Sequence, residues 1–234
     1  MTLVLALDTS TDVRVGIARD GEVLARSHVA DTRQHVEQLI PLVRAALRDT
    51  GARITDVDLV CVGLGPGPFT GLRVGIVAAQ TLAAVRGVPL HGVCSLDIIA
   101  AAANGPEEFV VASDARRKEL YWARYAAGTP FAQRVDGPHV SAPEELPPLP
   151  VVGPGVAAYA DRLADRPRTD GPQVIDAGLL AALGTSLPSA GTQPLYLRRP
   201  DAAEPTRRKS ALARTPIKRA RRHQARNADD RGRP

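Results

Sequence analysis

A chain of 234 residues is long enough for one large domain or two small lobes, and 44% hydrophobic content with 3% aromatics requires an aliphatic core. No apolar run approaches the ~20 residues needed to span a bilayer. The N-terminus lacks the basic lead-in of a signal peptide, and two cysteines make neither a disulfide framework nor a zinc site. A soluble cytoplasmic protein is therefore expected, without membrane contact. The net charge of +5 is uneven: from Glu204 onward eleven Lys/Arg face three acids, a net of +8, so the remainder carries −3 (5 − 8). Charge alone predicts no basic RNA-binding surface on the body.

In chain order, Leu3–Leu7, Val13–Ala18 and Glu22–His28 alternate or run apolar as three successive strands. Turn formers join them: Asp8-Thr9-Ser10-Thr11-Asp12, then Arg19-Asp20-Gly21. An acidic, hydroxyl-rich turn after a buried strand can hold phosphate or Mg²⁺, and it is equally how hairpins simply turn. Three antiparallel strands at the start argue against a dinucleotide fold, which opens strand-helix-strand.

A helix is predicted from about Arg33 to Asp49. Val36, Leu39, Ile40, Val43, Ala46 and Leu47 form its apolar stripe, Pro41 imposes a kink or break, and Gly51 ends it. His35 lies near its start, with Leu39 where a zincin-type helix would carry a second histidine.

Leu59–Gly63 reads as a buried strand. It breaks into a loop with Gly63, Gly65, Gly67 and Gly71, then resumes as a small-residue helix, Leu72–Arg86. Strand, glycine loop and helix point backbone N–H groups at whatever lies above the loop, a position that suits anions; a tight turn needing glycine for close approach gives the same pattern. No Gly-Lys-Ser/Thr follows, so it is not a P-loop, and the glycine spacing is wrong for a dinucleotide fingerprint. The helix has Leu72, Ile76, Ala79 and Ala83 on one face. That face serves either the core or, with the preceding helix, a second subunit.

Leu90–Val93 is a further strand, and Ser95 is placed to cap a helix through Ala103. Phe109–Ala112 opens a second lobe, followed by the charged turn Ser113-Asp114-Ala115-Arg116-Arg117-Lys118 and a strand, Leu120–Tyr125, holding Trp122. Gly128 to Pro154 is rich in proline and glycine, extended near Pro138–Ser141. Val151–Val152 is a strand, Val156–Ala164 a helix, and Asp176 caps a last helix, Ala177–Leu183. Pro194–Pro200 closes the body. Glu204–Pro234, rich in Arg and Ala without periodicity, is predicted disordered; it is either dispensable or a salt-sensitive contact with RNA.

The central Gly65-Pro66-Gly67-Pro68-Phe69-Thr70-Gly71-Leu72-Arg73-Val74-Gly75 resembles the TsaB (YeaZ) family. So do, in order, Leu5-Ala6-Leu7-Asp8-Thr9-Ser10, His35, Asp114-Ala115-Arg116-Arg117 with Tyr121-Trp122, and Pro194-Leu195-Tyr196-Leu197-Arg198. The resemblance covers about Met1 to Asp201. It implies the dimerisation subunit of the bacterial machinery that makes threonylcarbamoyladenosine at position 37 of tRNAs. It also implies a two-lobed α/β fold of the actin, sugar-kinase and Hsp70 type, with lobes at 1–106 and 107–203 ahead of the tail at 204–234.

Such a chain is a degenerate relative of the catalytic subunit TsaD, which places a metal with two histidines one helical turn apart. Leu39 replaces the second of them here. Asp8-Thr9-Ser10-Thr11 lacks the superfamily's Asp-x-Gly-x-Thr, and Pro68 stands where the family more often has Ser, so the loops at Asp8, Thr9, Ser10, Gly65, Gly67 and Gly71 read as degenerate phosphate loops. The resemblance thus implies no catalytic residues, metal or cofactor, with TsaD and TsaE as partners, tRNA met through the complex, and self-association when alone. Val36, Leu39, Ile40, Val43, Leu72, Ile76, Ala79 and Ala83 are the candidate interface residues. The alternatives are an autonomous ATP-dependent kinase of the superfamily, a metalloprotease, and an RNA-binding module driven by the tail.

Overall fold

The computed structural model describes residues 1–29, 35–103, 107–166 and 171–198, with His35 and Val36 given by backbone only. The predicted helix start at Arg33 and the segment Glu204–Pro234 lie outside the described residues. Met1–Pro200 form one compact unit.

The chain is mixed α/β with two mixed sheets. In the first sheet, β1 (Leu3–Asp8), β2 (Val13–Arg19) and β3 (Glu22–Val29) form the expected antiparallel opening. α1 (His35–Asp49) crosses over to β4 (Leu59–Gly63), parallel to β1, and α2 (Phe69–Arg86) crosses over to β5 (Leu90–Val93), parallel to β4. Parallel neighbours need such crossovers, because a tight turn cannot bring the chain back in the same direction.

α3 (Ser95–Ala103) leads into the second sheet, built from β6 (Phe109–Asp114), β7 (Leu120–Ala126), β8 (Gln133–Ser141) and β9 (Val151–Val152) in the order β8-β7-β6-β9. After the short α4 (Gly155–Ala158), α5 (Ala177–Leu183) and β10 (Ser189–Gly191) return to the first sheet. Its order is β10-β5-β4-β1-β2-β3.

The two-residue period of the strands sorts their side chains into layers. Leu3, Leu5, Leu7, Val15, Ile17, Val60 and Val62 face α1 and α2. Val4, Ala6, Ala18 and Cys61 face the other way, toward α3, α5 and the inner side of β6 and β7. Gly16 lies in that second layer, where a side chain would overlap the Ala177 carbonyl; the missing Cβ is what lets α5 sit directly on β2. The outer side of the second sheet packs Val110, Ala112, Leu120 and Trp122 against Val156 and Leu163.

Three local expectations are corrected. α1 runs unbroken through Pro41, which sits on its exposed side, where the carbonyl left without a donor can turn to water. The helix expected at Val156–Ala164 is one short α-turn and one 3₁₀ turn, Ala160–Arg162, divided at Tyr159 (φ −130°), whose hydroxyl is drawn to Asp114 Oδ1 at 3.2 Å. Ser95 opens α3 without capping it, because its hydroxyl is used elsewhere. Asp176 does cap α5, accepting from Leu179 N at 3.0 Å. Cys61 and Cys94 are buried free thiols, each pushed up to about 12 by desolvation.

Candidate functional site

The end of β1, the glycine loop and the start of α3 converge on one buried cluster. Asp8, Thr9, Ser10 and Ser95 are all at most 4% exposed. Ser10 donates to Asp8 Oδ1 from its backbone N at 2.8 Å and its hydroxyl at 2.6 Å. Ser95 Oγ donates to Asp8 Oδ2 at 2.6 Å and accepts from Gly65 N at 3.0 Å. The Ser95 N–H returns to the Gly65 carbonyl at 2.8 Å. Thr9 Oγ1 donates to the Gly71 carbonyl at 2.8 Å, in the first turn of α2. Burial outweighs these hydrogen bonds and holds the Asp8 carboxyl above its ordinary value.

The glycines make room for this turn. A Cβ on Gly63 would overlap Asp8 Oδ2, and one on Gly75 would overlap Thr9 Oγ1. On Gly67 it would lie 2.9 Å from Ser10 Cα. Asp8, Thr9, Ser10, Gly65, Gly67 and Gly71 thus come together in the structure. They meet as a closed contact in which the hydroxyl and carboxylate oxygens of the turn hold one another. Ser95 completes the cluster; its residue type had pointed only to a cap. Among the described residues no group of three or more His, Cys, Asp or Glu is placed to hold a metal.

The predicted interface residues divide differently. Leu39, Val43, Leu72, Ile76, Ala79 and Ala83 are buried in the chain's own core, between 0% and 5% exposed, and are corrected from interface to core. The sheet beneath has enough apolar surface to use that whole stripe. Ile40 is exposed at 40%, and the Val36 side chain lies outside the description.

A second stripe lies along the edge of the buried face of α2: Val74, Ala78 and Leu82 are half-buried against the core, and Val77 and Thr81 beside them are exposed. With Leu39, Ile40 and Arg73 these residues line an open groove of about 460 Å³ between α1 and α2, in which Val77 is 56% exposed. α2 is therefore apolar on two sides, and the second is only partly covered, with Val77 its most exposed member. A helix apolar all round normally has all of its faces buried.

Arg73, at the groove's end, lies 4.0 Å over the Phe69 ring and donates to Tyr196 Oη at 3.1 Å; Phe69 and Tyr196 stack at 4.7 Å. The Pro194–Arg198 segment is thereby held against the start of α2.

A second buried carboxyl, Asp97, accepts from Tyr125 Oη at 2.7 Å and is ion-paired through the same oxygen with Arg134 Nε at 3.2 Å, and its other oxygen has no partner among the described residues. Burial raises this carboxyl as well. No helix of the described residues is long and apolar enough to cross a membrane.

Residues 23–213 match the family model described as TsaD, tRNA N6-adenosine threonylcarbamoyltransferase. An uncharacterized protein of Mycobacterium tuberculosis is 42% identical over 205 residues, covering 86% of this chain and 94% of that one. The tRNA threonylcarbamoyladenosine biosynthesis protein TsaB of Escherichia coli is 39% identical over 126 residues, 52% of this chain and 54% of that protein. The solved structure of YeaZ from Pseudomonas aeruginosa superposes with a TM-score of 0.70 at 29% identity, covering 84% of this chain and all of that one.

Proposed function

This chain belongs to the TsaB (YeaZ) family, and from that premise we propose that it is a non-catalytic subunit, docking a TsaD-type catalytic subunit in the groove between α1 and α2. TsaD would carry out the transfer of the threonylcarbamoyl group to adenosine 37 of tRNA, with TsaE completing the assembly in the cytoplasm. The observation that carries the reading is the second apolar stripe of α2, half-covered and open along the groove, while the first is spent on the sheet. A partner that covers Val77 and Ile40 gains the hydrophobic term without asking the free chain to rearrange, and by binding one conformation of the catalytic subunit better it shifts that subunit's population toward it. Alone, two copies would cover the same stripe. The competing reading, an autonomous ATP-dependent kinase, would require the Asp8–Ser95 cluster to open and its four buried polar side chains to be re-paired.

The test is Val77→Asp, with size-exclusion chromatography and light scattering on the chain alone and mixed with its TsaD. Val77 is exposed, so the folded chain tolerates the change, whereas a charge buried in the interface is expected to cost several kcal/mol. Loss of the heterodimer with an unchanged melting temperature supports the reading. A heterodimer that forms equally well with the variant refutes the groove as the docking site. A wild-type chain that never binds TsaD refutes the subunit role.

A further inference from the structure

The groove between α1 and α2 has a single charged residue in its lining, Arg73. A second hollow, of about 380 Å³, lies on the other side of that arginine, between α2 and the segment holding Pro194 and Tyr196; Arg73 is the one charged residue there too. Arg73 and Val77, one helical turn apart, border both hollows. A partner that covers Val77 therefore reaches Arg73 as well.

The guanidinium is set in place before anything docks. Its face lies 4.0 Å over the Phe69 ring, and Nε donates to Tyr196 Oη at 3.1 Å. Those contacts use one face and one edge. The two terminal nitrogens have no hydrogen-bond partner, and no carboxylate pairs with them, among the described residues. Arg14, Arg26, Arg53, Arg134 and Arg162, by contrast, each meet a carboxylate. Arg73 is exposed, so in the free chain water satisfies its terminal N–H groups. A docked partner displaces that water, and a covered charge left without an acceptor is strongly unfavourable. The group that suits a guanidinium fork is a carboxylate, which accepts two parallel bonds, and a fork already held in position loses less freedom in making them.

We propose that Arg73 selects the groove's occupant: it takes a carboxylate of the catalytic subunit, carried beside the apolar surface that covers Val77, and it disfavours a second copy of this chain. The selection follows from symmetry. Two copies docked groove to groove present the same surface to each other. They bring two cations and no carboxylate from the lining of either hollow, so neither guanidinium is matched by the residues that cover it. The identity of the partner rests on the subunit reading above; what is added is the chemistry by which that partner is told from another copy of the chain.

The test uses the full chain and its TsaD. Arg73→Gln removes the charge, and Arg73→Lys keeps the charge and removes the fork. Melting temperatures should stay at the wild-type value, because the side chain is exposed. Titration calorimetry from low to high salt gives the heterodimer affinity. Arg73→Gln should weaken the heterodimer ~30-fold or more at low salt and flatten its salt dependence. Arg73→Lys should lose part of the affinity and keep the salt dependence, a split that a merely structural role in holding Phe69 and Tyr196 would not produce. Light scattering across concentration should show wild type binding itself more weakly than it binds TsaD, with the difference narrowed in Arg73→Gln.

A heterodimer indifferent to Arg73→Gln overturns the proposal and leaves the groove as the docking site. Equal losses in both variants, with the salt dependence of wild type retained, also overturn it, as does a wild-type chain that binds itself as tightly as it binds TsaD. A wild-type chain that never binds TsaD refutes the subunit role and this selection together.

Discussion

Removing the Ser95 hydroxyl tests whether the Asp8 cluster holds the glycine loop shut. Ser95→Ala leaves two buried groups unpaired: the Gly65 N–H, 3.0 Å from the lost oxygen, and Asp8 Oδ2, 2.6 Å from it. An orphaned buried N–H costs ~1–3 kcal/mol, and a hydrogen bond to a charged group contributes ~1.5–3 kcal/mol. The variant should therefore be about 3–5 kcal/mol less stable, a large part of the ~5–15 kcal/mol that holds a typical domain together. Water has no route to soften the loss, since Asp8 and Ser95 are at most 1% exposed. The assay is urea unfolding at neutral pH, reading the midpoint at unchanged slope. Ser141→Ala is the comparison: that hydroxyl accepts from Trp122 Nε1 at 2.9 Å in a half-buried setting where water can replace it. In a double-mutant cycle, Asp8→Ala and Ser95→Ala should couple strongly, because each removes the other's partner. If Ser95→Ala costs no more than Ser141→Ala, the cluster is not what closes the loop.

The two buried carboxyls set a pH dependence. Asp8 and Asp97 both titrate above the ordinary 3.8 in the folded chain, chiefly through desolvation. The folded chain then keeps protons that the unfolded chain has released, so stability falls as pH rises from about 3.8 through the folded values. Asp8→Asn should flatten that slope without abolishing it, because Asp97 still titrates; unfolding free energies across the acid range would measure both. Gly75→Ala should destabilise by ~1–3 kcal/mol, since its Cβ meets the Thr9 side chain, and Thr9→Ala should recover part of the loss in thermal melts. The thiols of Cys61 and Cys94, raised to about 12 and buried, should resist alkylation until the chain unfolds, so that labelling tracks the unfolding rate.

The strands were legible because their periodicity is clean. β3 alternates along its whole length, and β5 and α5 fall where turn and capping residues put them. β10 was missed because Ser189-Ala190-Gly191 carries no pattern of its own; it is a strand only because β5 offers an edge. The α2 stripe is legible as apolar, and the sequence leaves open whether it serves the core or a second subunit. Leu72, Ile76, Ala79 and Ala83 and the neighbouring stripe of Val74, Val77, Ala78 and Leu82 are both apolar at helical spacing, and periodicity does not say which is fully buried. Gly75 held the missing signal, since a side chain there would strike Thr9, and that fixes the inward face. Ser95 looked like a cap because capping is local, whereas its partners Asp8 and Gly65 lie 87 and 30 residues away.

The return of α5 and β10 to the first sheet also bears on how the chain is made. The ribosome delivers β1 to β5 first, yet β2 waits for α5 to cover Gly16, and the β5 edge stays open until Ser189 has emerged. In the interval the nascent chain displays the apolar layer formed by Val4, Ala6, Ala18 and Cys61 and an unpaired strand edge, the two features that invite aggregation. Closing contacts over such sequence separations is slow. Synthesis must therefore run nearly to the end of the body before its beginning is secure, and a fragment ending after β5 should be captured by chaperones where the full chain is not.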